Sequence, residues 1–175
     1  PFSKDGILAL ALDLVSAAAA AETVKIVHRD IKPDNIKIDS SGRAWLLDFG
    51  IVRVLDLESV TPSAVPMGPH TAGYSAPEQF DYRKRAITGR SDLFAIGVVL
   101  HECGTGSNPF RDGARNSQEV RERVRRQRLP RMNLVWDEKG EFAEFVLAIT
   151  QKAPHQRPSS CQEALAWLQG IVARL

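Results

Sequence analysis

The sequence predicts a mainly α-helical domain carrying one short β-hairpin, and three observations predict it. The chain opens on an alanine-rich segment whose apolar residues Ile7, Leu8, Leu10, Ala11, Leu14 and Val15 recur at helical spacing. A second segment, 91–106, is apolar on most sides through Leu93, Phe94, Ile96, Val98, Val99 and Leu100, the pattern of a helix enclosed in a core. Between them the short runs Ile36-Lys37-Ile38 and 44–47 flank Asp39-Ser40-Ser41-Gly42, a turn signal that pairs them as a hairpin.

Composition sets the outer bounds. A chain of 175 residues, 43% hydrophobic and 25% charged, has the material for one domain, residues 1–175, or for one large lobe of a bigger domain. A formal net charge of +2 gives no reason to expect a nucleic-acid partner. Asp13 and Glu22 interrupt the first apolar segment, which argues against a membrane span, and no secretory signal pattern is present in this piece. Two cysteines, Cys103 and Cys161, are too few for a disulfide framework and fit a reducing compartment. The expected location is the cytoplasm, or the cytoplasmic part of a larger protein anchored elsewhere. The first residue is Pro1 rather than Met, which suggests a segment of a longer chain.

Ser3 or Asp5 caps the first helix, which runs to about Thr23. The alanines at 17–21 favour helix and permit close packing. The stretch 51–71 loses periodicity and gathers Pro62, Pro66, Gly68 and Pro69, a long loop of the kind that serves a function. The central helix ends at Gly104 or Gly106. Three more helices follow at 118–127, 141–151 and 159–175, with Pro154 and Pro158 bracketing the last turn. The arginine-dense segment from Arg121 to Arg131, interspersed with Glu119 and Glu122, reads as a solvated helix face.

The densest chemistry lies in His28-Arg29-Asp30-Ile31-Lys32-Pro33-Asp34-Asn35, followed by Asp48-Phe49-Gly50. Transfer of a phosphoryl group needs a carboxylate to orient the acceptor hydroxyl and metal ions to neutralise the phosphates. Asp30 suits the carboxylate, being placed in a loop. Lys32, two residues on, shares its side of an extended backbone and reaches towards the transferring phosphate. Asn35 offers an amide oxygen and Asp48 a charged one, both hard ligands of the kind Mg²⁺ takes.

These motifs, with Ala76-Pro77-Glu78 beyond them, resemble the C-terminal lobe of a eukaryotic-type serine/threonine protein kinase. His28-Arg29-Asp30 matches the catalytic loop, Asp48-Phe49-Gly50 the magnesium motif and Ala76-Pro77-Glu78 the end of the activation segment. The resemblance implies ATP and Mg²⁺ as cofactors and a protein substrate with a Ser or Thr acceptor. It implies that Asp92, opening the pattern Asp-x-x-x-x-Gly that ends at Gly97, holds the catalytic-loop backbone. It also implies that Arg157 pairs with Glu78 and that Thr71 contacts the catalytic loop. Arg29 implies a phosphorylated activation loop, with Ser59, Thr61 and Ser63 as acceptors. The Glu78-Gln79 pair and the wording Asn35-Ile36-Lys37 resemble bacterial members.

The sequence also departs from the pattern. No Gly-x-Gly-x-x-Gly and no Val-Ala-Ile-Lys-like strand occurs, so the N-terminal β lobe that covers ATP is absent from these residues and is expected upstream. Phe49 and His28 are then expected to lack that lobe's apolar partners, and an exposed apolar face is expected where the lobe belongs. His70 replaces a glycine, Phe94 a tryptophan, and Lys37 a leucine beneath the adenine. Three functions fit: a fragment of a protein kinase inactive by itself, a standalone kinase-like lobe that binds partners without catalysis, and a small-molecule kinase of related fold.

Overall fold

A computed structural model describes residues 2–48, 53–54, 72–80 and 87–175 of the chain. Helix α1 (Lys4–Thr23) starts where Ser3 accepts the Gly6 N–H at 3.2 Å, as an N-cap should. Its buried stripe runs through Ile7, Ala11, Leu14, Val15 and Ala18. By length and composition α1 is apolar enough to cross a membrane. Here its alanines bring it against α2 (Gly89–Thr105) and α5 (Cys161–Val172), so the stripe is spent on packing.

Helix α2 is the axis of the fold. Every residue from Ser91 to His101 is buried, because α1, α4 (Glu141–Ile149) and α5 surround it. At Gly97 a Cβ would stand 2.4 Å from Thr150 Cγ2 and 2.9 Å from Ile149 Cγ1. The end of α4 therefore crosses α2 at a position without a side chain. The helix begins at Gly89, two residues before the expected start, because Thr88 accepts the Arg90 N–H and caps it. It stops at Gly106, whose φ of 77° lets its N–H turn back to Glu102 O at 2.7 Å.

The remaining helices follow their caps. Asn116 opens α3 (Ser117–Arg126) and Ser160 opens α5, each accepting an N–H three residues on. The N-terminus of α4 is satisfied by the buried Asp137, which accepts the Phe142 and Ala143 N–H groups. The α4 helix ends at Ile149, short of the expected 151, because Thr150 turns its hydroxyl back to Val146 O at 2.7 Å. The arginine-dense stretch is exposed at Arg125, Arg126, Arg128 and Arg131 and half-buried at Arg121 and Arg123. Arg123 reaches back to Asp112 O at 2.7 Å and to Glu119 at 2.8 Å, and Arg121 and Arg125 lie over the Phe80 ring.

The predicted hairpin is β2 (Ile36–Ile38) and β3 (Ala44–Leu46), antiparallel with Lys37 opposite Trp45. Asp39 holds its turn by accepting the Ser41 and Arg43 N–H groups. Asp13 of α1 accepts the Ala44 N–H at 2.7 Å and seats the hairpin on the core. A second pair, β1 (Ile26–Val27) with β4 (Arg53–Val54), was not expected from the sequence. Two residues per strand are too few to show a period of two. Ile38, Trp45 and Leu47, on the hairpin and at its end, are exposed apolar residues, as is Val24 at the end of α1.

Candidate active site

Strand β1 ends on buried Val27 and delivers His28 into the space between α2 and the hairpin. The next residue, Arg29, has φ of 70°, and Asp48 has φ of 56°. Left-handed backbone costs a non-glycine residue about 1 kcal/mol or more, so each needs an outside restraint. For Arg29 the restraint is Asp92, whose Oδ1 accepts its N–H at 2.8 Å while Oδ2 accepts that of His28 at 2.8 Å. Asp92 is buried, and burial pushes its carboxyl up to about 6 despite the two donors that favour the ionised form.

His28 ties the two motifs together. Its Nε2 faces Leu47 O at 2.9 Å and its Nδ1 faces the Asp30 N–H at 3.3 Å. Only one neutral tautomer serves both contacts, with the hydrogen on Nε2 and the lone pair on Nδ1. Leu47 N–H donates in turn to Asn35 O at 2.8 Å. The loop 28–35 and the residue preceding Asp48 are thereby stapled on both sides. His28 is buried at 1% exposure among this chain's own residues.

Asp30 is held asymmetrically. Its Oδ2 meets Lys32 Nζ at 2.9 Å and accepts from Asn35 Nδ2 at 3.1 Å, while the same amide nitrogen donates to Asp30 O at 2.7 Å. Asp30 Oδ1 is buried with no hydrogen-bond partner. Such an atom costs about 1–3 kcal/mol unless a ligand completes it. With the Asn35 nitrogen committed to Asp30, its Oδ1 is the atom left for a cation. Asn35 is buried in the 3₁₀ turn Pro33–Asn35, and Asp48 is exposed. Among the described residues no three His, Cys, Asp or Glu side chains form a metal cluster. An amide and one carboxylate suit Mg²⁺, which keeps water or phosphate in its other positions.

Below the loop, Glu78 of the 3₁₀ turn Pro77–Phe80 forms a two-pronged pair with Arg157, at 2.7 and 3.0 Å. Ser91 adds its hydroxyl to Glu78 Oε1 at 2.7 Å. Arg157 spends its remaining donors on the carbonyls of Arg90, Gln151 and Lys152. Lys152 lies beside it, over the rings of Phe94 and Phe110 at 5.1 and 4.4 Å, with its Nζ buried and without a hydrogen-bond partner. Burial, then the nearby guanidinium, lowers its amine to about 7. Gln79 bridges the Ala76 N–H and Arg29 O.

The structure thus brings together His28, Arg29, Asp30, Lys32, Asn35 and Asp92, and separately Glu78 with Arg157. Phe49, Gly50, Thr71, Ser59, Thr61 and Ser63 lie outside the described residues. Ser91 and Lys152 were not singled out from the sequence. A buried serine on an apolar helix and a lysine before Pro154 carry no local signal of their partners.

The fold and this site meet their counterpart in the comparisons: the chain belongs to the protein kinase domain family, whose model matches residues 1–167. Individual relatives include serine/threonine-protein kinases of mycobacteria, eukaryotic-type kinases in a bacterial setting. PknL of Mycobacterium tuberculosis is 33% identical over 180 residues, covering 100% of this chain and 43% of that protein. PknH of Mycobacterium bovis is 38% identical over 111 residues, covering 63% of this chain and 18% of that protein. PknD of Mycobacterium tuberculosis is 36% identical over 111 residues, covering 63% of this chain and 16% of that protein. The chain therefore spans less than half the length of these curated relatives. Protein kinases as a family use ATP with Mg²⁺.

Proposed function

We propose that these 175 residues form the C-terminal lobe of a serine/threonine protein kinase that transfers the γ-phosphoryl group of ATP to a Ser or Thr hydroxyl of a protein. The observation that carries this reading is Asp30, with one oxygen neutralised by Lys32 and the other buried and unmatched. An acceptor hydroxyl hydrogen-bonded to Oδ1 has its oxygen lone pair turned away from the carboxylate, towards phosphorus. As the new O–P bond forms, the bond from phosphorus to the bridging oxygen breaks, ADP leaves, and Asp30 takes the hydroxyl proton. Lys32 is close enough to Asp30 to offer its charge to the transferring phosphoryl group. Asn35 and Asp48 would hold Mg²⁺, which supplies charge neutralisation to the phosphate oxygens when bound. Thr71 steadies the loop, and Arg29 is the residue to read phosphate at Ser59, Thr61 or Ser63.

The 175 residues contain no glycine-rich loop and no strand lysine, so in this reading ATP is held by groups outside them. The exposed Val24, Ile38, Trp45 and Leu47 are apolar surface that such groups would cover. A dependence on ATP favours the cytoplasmic side as the place of action. A purely binding lobe has no use for an unmatched buried carboxylate oxygen beside an ion pair.

The test is transfer of labelled phosphate from ATP to a serine-containing protein. The 175 residues alone should show none. A protein joining them to a glycine-rich loop and strand lysine should show transfer that Asp30→Ala lowers by about 10²–10⁴-fold. Unchanged transfer after Asp30→Ala would overturn the reading.

A further inference from the structure

The two peptide units that meet at Arg29 are each gripped, from different directions. Asp92 holds the Arg29 N–H at 2.8 Å, and Gln79 Nε2 donates to the Arg29 carbonyl at 2.8 Å. The second contact comes from fifty residues further along the chain. Gln79 is itself oriented, because its Oε1 accepts the Ala76 N–H at 2.8 Å. One amide orientation serves both contacts, since a carbonyl needs a donor and an N–H needs an acceptor.

That carbonyl belongs to the peptide plane from which Asp30 hangs. Arg29 itself, at φ of 70°, sits outside the backbone conformations an arginine prefers, and this strained turn relaxes if released. We propose that Gln79 is a positioning residue for Asp30, carrying the placement of the turn Ala76-Pro77-Glu78 to the catalytic carboxylate through the Arg29 carbonyl. Glu78 anchors this turn downward to Arg157, and Gln79 anchors it upward to the loop. The tail of the activation segment and the catalytic base are then one mechanical unit. The proposal rests on the kinase reading of Asp30.

Substitution separates positioning from packing. Alanine removes both contacts. Glutamate keeps the shape but, when ionised, sets a carboxylate against the Arg29 carbonyl. Protonated glutamate is an isostere of the amide, with O–H as donor and C=O as acceptor. In the protein that carries this chain with its ATP-binding residues, Gln79→Ala and Gln79→Glu should lower kcat by about 10–100-fold, with KM for ATP and substrate within about twofold. The Gln79→Glu rate, taken relative to wild type, should recover as pH falls from about 8 to about 6. Amide hydrogen exchange should quicken about fivefold in residues 26–31 for Gln79→Ala, and not in α1 or α5.

Rates within twofold of wild type would overturn the proposal, as would unchanged exchange at 26–31. Exchange that quickens equally throughout, or KM that rises in step with the fall in kcat, assigns Gln79 to general packing and overturns it too. A wild-type protein without transfer activity defeats the kinase reading instead, and the exchange measurement still decides whether Gln79 restrains the loop.

Discussion

Asp92 accepts the Arg29 backbone N–H at 2.8 Å from the first turn of α2, sixty-three residues further along the chain. This contact sets the left-handed turn in front of Asp30 onto the most buried helix of the fold. Its strength depends on what the carboxylate does with pH. The two backbone donors favour charge, but burial opposes it more strongly and raises the carboxyl to about 6.

The sign of that shift gives the first prediction. The folded state binds the Asp92 proton more tightly than the unfolded chain, so the stability linked to it is fully present below about pH 4. It is lost as pH rises through about 6, by an amount on the order of 2–3 kcal/mol. Asp92→Asn removes this titration while leaving an oxygen for one of the two N–H groups. Urea unfolding of both proteins at pH 4.5 and 7 should show wild type losing stability relative to Asp92→Asn as pH rises. Parallel pH profiles would contradict the assignment.

Glu78 and Arg157 are both nearly inaccessible, with side chains 6% and 0% exposed. Removing one partner leaves a buried charge uncompensated, so Glu78→Ala or Arg157→Ala should each cost about 3–5 kcal/mol. The pair of substitutions together should cost clearly less than their sum. Arg157→Lys should also be damaging, because one ammonium cannot reach Glu78 and three backbone carbonyls at once. Thermal unfolding of the four variants would check all of this, and full additivity would sink it.

Lys152 has the opposite sign. Its amine is lowered to about 7 in the fold, so the unfolded chain holds the proton more tightly. Wild type should gain stability relative to Lys152→Met as pH rises from about 7 towards 10. Near pH 6 the ammonium is charged without an anion over Phe94 and Phe110, and Lys152→Met should be the more stable protein by on the order of 1 kcal/mol. Melting temperatures at pH 6 and 9 decide the matter, and a difference independent of pH would refute it.

Much of this molecule is written locally. Helix α1 follows from its apolar spacing and Ser3, the hairpin from Asp39 to Gly42, and α2 from an unbroken buried pattern. Two helix ends were off by two residues where a neighbouring side chain closes the end, at Thr88 and Thr150. The β1–β4 pairing was missed because two-residue strands carry no periodicity. The contacts of Asp92 with the loop and of Glu78 with Arg157 were expected through the family resemblance, not through any property of the neighbouring residues.

By itself the sequence determined the helices, the hairpin, and the kinds of group near the site: an acid at 30, a base at 32, an amide at 35, an acid at 48. These depend on interactions within a few residues, which spacing and capping report directly. Only the tertiary structure decided which Asp30 oxygen is neutralised and which is left buried and unmatched. It alone brought Gln79 to the Arg29 carbonyl and set Lys152 on two rings. Those outcomes depend on where α2, the hairpin and the turn at Pro77–Phe80 come to rest against one another. Hydrophobic burial drives that packing without direction, and the polar groups it encloses take whichever partners lie within reach.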